Sequence, residues 1–206
     1  MDDAEIWRHI DAERASLADF LDALTPAQWA TPSLCEGWTV REVAAHLTAG
    51  PTARLGDVLA GVVRARGNFD RFVDATARRD ARKPTAEITA TLRASSGSRR
   101  LALGQRLSYA LLDILIHGQD IARPLGVARP MPLEAARFST DTVYRMGFPF
   151  HARKRLKNVR LVATDIPWTA GQGPEATAPI ASLLLLASGR RSAVADLTGP
   201  GTALLT

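Results

Sequence analysis

Leu111-Leu112-Asp113-Ile114-Leu115-Ile116-His117-Gly118-Gln119-Asp120-Ile121 is a run of large aliphatic residues with two acids and an imidazole set into it. Asp113 and His117 are four apart, so a helix stacks them on one face, and Asp120 follows three residues later. Backward, the stripe reaches Arg106. A surface helix would place such groups among other charges facing water. Here Leu and Ile flank them on both sides, so the helix is expected to be buried all round. Its acid and imidazole then need partners inside the protein.

The composition sets the frame around this helix. The chain has 206 residues and 46% hydrophobic residues, enough for a sizeable core. Aromatic residues make up only 6%, which favours helix over sheet. The net charge of +5 is spread over many arginines and does not mark a nucleic-acid binder. The single cysteine, Cys35, excludes an internal disulfide framework and fits a reducing cytoplasm. Charge from Asp2 onward argues against a signal peptide. No apolar run approaches the roughly 18–20 residues of a membrane helix.

Along the chain, Ile6, Ile10, Leu17, Phe20, Leu21 and Leu24 recur at helical spacing and predict a first helix over 3–24. His9 and Glu13 form an i,i+4 pair that could reach an interior polar site, or lie at the helix edge. Residues 25–38 read as a loop broken by two Thr-Pro steps and Gly37, with Trp29 and Trp38 pinning it. Thr39-Val40-Arg41-Glu42 is a capping-box signature and opens a second helix that carries His46. Gly50-Pro51 permits a kink before a further helical piece to about Arg66. Shorter helices follow over 68–82 and 84–95, then the long helix over 99–123 and another over 132–147. Residues 151–160 form a basic connector that lacks the aromatics needed to stack bases. From Val159 the period changes to that of a strand. A possible second strand lies near 166–174, an apolar helix spans 180–186, and a last short strand is expected within 194–205. The reading is mainly α: a helical bundle over 1–150 and a small α/β appendage over 151–206.

Metal sites in helical bundles draw ligands from facing helices. Two histidines and one carboxylate leave positions open for water or substrate. His46, Asp113 and His117 would supply that set. A lone histidine such as His46 is otherwise more often a satisfied core or surface residue than a ligand.

The segment Trp29…Pro32-Ser33-Leu34-Cys35-Glu36-Gly37-Trp38-Thr39-Val40-Arg41-Glu42-Val43-Ala44-Ala45-His46-Leu47 resembles the second-helix motif of the mycothiol-dependent maleylpyruvate isomerase family. These are actinobacterial members of the DinB-like superfamily of four-helix metal proteins. Asp113…His117…Asp120 resembles that family's acid-x-x-x-His-x-x-Asp motif. Asp165-Ile-Pro-Trp168…Gly171-Gln-Gly173-Pro174…Ser188-Gly189-Arg190…Leu197-Thr-Gly199-Pro-Gly201 is similar to its small C-terminal domain. The resemblance implies a DinB-like four-helix bundle and a divalent metal, usually zinc, at His46, Asp113 and His117. It also implies mycothiol as the thiol cosubstrate, attacking a small electrophile. In the isomerase, addition to a double bond allows rotation, and elimination returns the thiol. Asp120 would orient His117, or pair with Arg123 at the helix end. Arg190 resembles an arginine that holds a substrate carboxylate. Cys35 lies in a loop the family treats as structural. One departure stands out: the late-helix motif commonly begins with Glu, and Asp113 is one methylene shorter. The expected partners are a small-molecule electrophile and a thiol, without nucleic acid or membrane, in a cytoplasmic monomer or homodimer. The alternatives are a non-catalytic ligand- or partner-binding bundle and a metal-dependent hydrolase that uses water as nucleophile.

Overall fold

The computed structural model describes residues 1–52 and 55–205. It resolves into two compact units, Asp2–Arg129 and Pro130–Thr206. The first unit holds helices α1 (Asp3–Asp22), α2 (Pro26–Trp29), α3 (Val40–Thr52), α4 (Leu55–Arg64), α5 (Phe69–Asp80), α6 (Thr85–Ala94) and α7 (Leu107–Ala122). α1 packs against α6 and α7, and α3 packs against the same two, which closes a ring of four helices. α5 lies on the outer side of α3.

Local chemistry explains the helix ends. Asp2 caps α1 by accepting from the Glu5 amide at 2.8 Å, and the Glu5 carboxylate accepts from the Asp2 amide at 3.0 Å. The Glu42 carboxylate accepts from the Thr39 amide at 2.8 Å at the start of α3. α3 then runs through Pro51 to Thr52. Pro51 has no N–H to give to the carbonyl of Leu47, one turn back. Thr52 donates its hydroxyl to the Thr48 carbonyl at 2.7 Å. The junction expected after the Gly50-Pro51 step lies partly outside the described residues.

α7 begins at Leu107, eight residues later than the aliphatic pattern suggests. Residues 103–104 form a turn instead, with Gly104 at φ +78°. That conformation is easy for glycine and ends helical propagation from the preceding residues. From Ala110 to Ala122 almost every residue of α7 is buried, Asp113 and His117 excepted. Leu111, Leu115 and Ile121 fill the core with Ile10, Leu17, Leu21, Ile88 and Leu92 from α1 and α6.

The acid of the His9–Glu13 pair turns inward. Glu13 is buried and binds Arg129 at 2.7 Å, and Arg129 also donates to Ser16 Oγ at 2.7 Å. Arg14 is buried too and donates to the Ser95 carbonyl at 2.8 Å.

The second unit contains α8 (Leu133–Arg145), α9 (Ala152–Arg155), strands β1 (Arg160–Ala163), β2 (Thr169–Ala170) and β3 (Glu175–Ala178), and α10 (Ile180–Ala187). β1 is central, antiparallel to β2 and parallel to β3. Gly171 sits at φ +84°, where a Cβ would lie 2.2 Å from the Val159 carbonyl oxygen, so the tight return from β2 requires glycine. The expected bundle boundary at residue 150 falls inside this unit, because α8 packs on α10. The basic stretch 151–160 is built into the unit: Arg155 donates to the Ala187 carbonyl at 2.7 Å and so caps the end of α10. The expected last strand is two 3-10 segments, Arg191–Asp196 and Pro200–Leu204, separated by a single bridge between Thr177 and Thr198. Gly199 at φ +97° and Pro200 prevent further pairing there. No helix among the described residues is long and apolar enough to cross a membrane.

Glu13→Ala leaves the Arg129 guanidinium buried beside no carboxylate. It is expected to lower the unfolding free energy by about 3 kcal/mol in urea titrations. A change under about 0.5 kcal/mol would show that Ser16 and water satisfy Arg129 unaided.

Candidate metal and thiol site

Two helices deliver the site. α7 is held in place by its buried flanks, so Asp113 and His117 can only open toward α3. On α3, Val43, Ala44, Ala45 and Leu47 are buried around His46 and fix its bearing. Three donors meet in the space between. His117 Nε2 lies 3.4 Å from Asp113 Oδ1, and His46 Nε2 lies 3.8 Å from Asp113 Oδ2. The imidazole rings of His46 and His117 meet edge-on at 5.1 Å between centroids. One donor atom from each of the three residues lies within 4.8 Å of the others. The side chains of His46, Asp113 and His117 are 22%, 33% and 14% exposed. Asp113, although one methylene shorter than the glutamate common in the resembling motif, reaches both imidazoles without an intervening group.

A second triad shares His117. Its Nδ1 lies 2.8 Å from Asp120 Oδ2, and Asp120 is completely buried. Cys35 Sγ donates to the same carboxylate oxygen at 3.1 Å and lies 3.5 Å from His117 Nδ1. The separations distinguish the two triads. Two bonds of about 2.0–2.1 Å at a tetrahedral cation place donors roughly 3.4 Å apart. The two imidazoles stand 3.4 and 3.8 Å from the two Asp113 oxygens, close to that size. The 2.8 Å contact of His117 with Asp120 is a hydrogen bond. The first set therefore fits a cation between its donors, and the second fits a proton.

The electrostatics follow from the same neighbours. Burial resists charge on Asp113, but the neighbouring His117 and His46 imidazoles outweigh it and hold the carboxyl below its usual range. Burial likewise opposes charge on His117. Asp113, Asp120 and Cys35 prevail and hold its pKa well above the ordinary imidazole value.

His46 and His117 line a cleft of about 350 Å³ together with Cys35, Glu36, Trp38, Phe69, Asp70, Val73 and Asp74. Trp38 lies 5.4 Å from the His46 ring, and its indole N–H donates to Asp74 Oδ1 at 2.8 Å. Arg78 pairs with Asp74 from one turn further along α5. Phe69 is 67% exposed at the rim. The sequence reading assigned Phe69 and Val73 to packing and missed α5 as a wall. The available signal was the parallel i,i+4 stripes Phe69/Val73 and Asp70/Asp74, which face one way on a helix. Arg190 lies in the second unit, before the Arg191–Asp196 segment, and donates to the Ser188 carbonyl at 3.1 Å.

A four-helix ring with two histidines and a carboxylate on one cleft defines a bundle suited to a divalent metal. Residues 10–107 match the family described as mycothiol maleylpyruvate isomerase N-terminal domain. The fold extends the likeness. A crystal structure of the mycothiol-dependent maleylpyruvate isomerase aligns over 97% of this chain and 93% of its own, with a TM-score of 0.66 and 14% identity. A histidine-to-alanine mutant of that isomerase aligns over the same shares with a TM-score of 0.61 and 13% identity. At such identities the likeness establishes the fold. No curated protein matches the chain.

The raised His117 stabilises metal-free protein fully below the unfolded imidazole value of about 6.5, and that stabilisation is lost as pH rises through the folded value. In chelator, the stability advantage of wild type over His117→Asn is therefore expected to shrink from about pH 6 into the alkaline range. Thermal denaturation across that range measures it. An advantage that grows with pH would show that the neutral ring is the form the fold favours.

Proposed function

We propose that this protein is a metal-dependent enzyme that uses a low-molecular-weight thiol, mycothiol by family, to attack a small electrophile in a transfer or isomerisation. The observation that carries this reading is the convergence of donor atoms of His46, Asp113 and His117 from two helices, with both imidazoles on one cleft. Imidazole nitrogens and a carboxylate suit zinc or a similar divalent ion. When bound, such a cation lowers the pKa of a thiol placed on it, so that thiolate is available near neutrality.

The chain's own residues have distinct tasks. Asp120 accepts the Nδ1 proton of His117 and so leaves Nε2 as the donor that faces Asp113. A bound cation would be held by the His46 and His117 ring nitrogens and by the Asp113 carboxylate. Trp38, Phe69 and Val73 give the cleft apolar walls. The volume of about 350 Å³ suits a small molecule. Arg190 is proposed to hold a substrate carboxylate, on the resemblance of its Ser-Gly-Arg motif.

Purified protein is expected to hold about one equivalent of zinc or a similar ion, and His46→Ala or His117→Ala to lose it. Turnover of an activated alkene should require added thiol, with Arg190→Ala raising KM more than it lowers kcat. Turnover of an ester or amide without thiol would move the site to hydrolysis. Wild type that takes up no metal would leave a binding module.

A further inference from the structure

The triad of Cys35, Asp120 and His117 has a geometry that the proposed chemistry does not use. Cys35 is delivered by a turn stapled to the end of α7. The Leu34 amide donates to the Asp120 carbonyl at 3.1 Å. Ser33 Oγ accepts from the Cys35 amide at 3.1 Å and donates to the Trp38 carbonyl at 2.8 Å. The sulfur is thus fixed over Asp120 rather than free to face the cleft alone. Its 3.1 Å contact falls on Oδ2, the same oxygen that accepts from His117 Nδ1 at 2.8 Å.

We infer that Cys35 is a positioning residue for the metal site, acting through Asp120 on His117. This rests on the reading that His46, Asp113 and His117 hold a divalent cation. A buried carboxylate needs donors to stay charged and still. The thiol supplies one of them to the same oxygen from beside the ring, with Sγ 3.5 Å from His117 Nδ1. With Oδ2 held in place, the His117 ring keeps its Nδ1–H aimed at Asp120 and its Nε2 edge beside Asp113. The thiol works here as an S–H donor, so its role is neither nucleophile nor metal ligand. A hydroxyl can replace it, and a methyl group cannot.

The test compares Cys35→Ser and Cys35→Ala with wild type and Asp120→Asn, using full-length protein. Zinc affinity is read by competition with a chromophoric chelator, and the ligand field by the visible spectrum of cobalt-loaded protein. Substituting a group that orients a metal-binding histidine typically costs about 10–100-fold in affinity, and Cys35 stands one bond further out. Cys35→Ala is therefore expected to weaken zinc about 3–10-fold and shift the cobalt bands, with Cys35→Ser restoring affinity to within about twofold. In the Asp120→Asn background, Cys35→Ala should add little, since the two act through one path. Melting of the metal-free variants separates these effects from a loss of fold: both forms should unfold in a single cooperative transition, the alanine form below the serine form.

Equal affinity of Cys35→Ala and wild type would overturn the inference and leave the metal site standing. So would equal weakening by alanine and serine, or full additivity with Asp120→Asn. Wild type that binds no zinc would overturn the metal reading and this inference together.

Discussion

A carboxylate on an otherwise apolar, buried helix is the constraint around which the first unit is built. Asp113 cannot find water on the core side of α7, and its shift toward the charged form shows that partners more than offset burial. Those partners are imidazoles from its own helix and from α3. The half-buried carboxylate thus ties α7 to His46 on the facing helix α3. The fully buried Ala44 and Ala45 beside His46 keep that flank of α3 small.

The two nitrogens of His117 divide the site into two regimes. On the Nε2 side the donor separations are those of ligands spread around an ion. On the Nδ1 side the separation is that of a shared proton. One ring joins an open cleft to a completely buried acid, so the orientation of the exposed donor is set from inside the protein. This is the arrangement by which metal-binding histidines acquire a fixed tautomer.

Much of the first unit was legible in the sequence because its signals are local. The aliphatic flanks of Asp113 and His117 marked α7 as buried, and Thr39 to Glu42 marked the start of α3. The spacing of Asp113, His117 and Asp120 placed all three on one face. Other features were hidden because they depend on distant contacts. The start of α7 turns on the backbone sign at Gly104, which the run of aliphatic residues masks. α8 reads as one more bundle helix until its packing on α10 is seen. The stretch 151–160 reads as a solvated linker because nothing local shows Arg155 meeting the end of α10. Phe69 is apolar on paper and exposed in space, so α5 did not declare itself as a cleft wall. Cys35 reads as a loop residue, since its partners Asp120 and His117 lie more than 80 positions away.

Pro51 gives the site a mechanical property. Because it cannot complete the ladder at Leu47, the helical rod bearing His46 is weakest just beyond the imidazole. The proline falls beyond His46, so the gap opens past the imidazole and the turn that carries it remains regular helix.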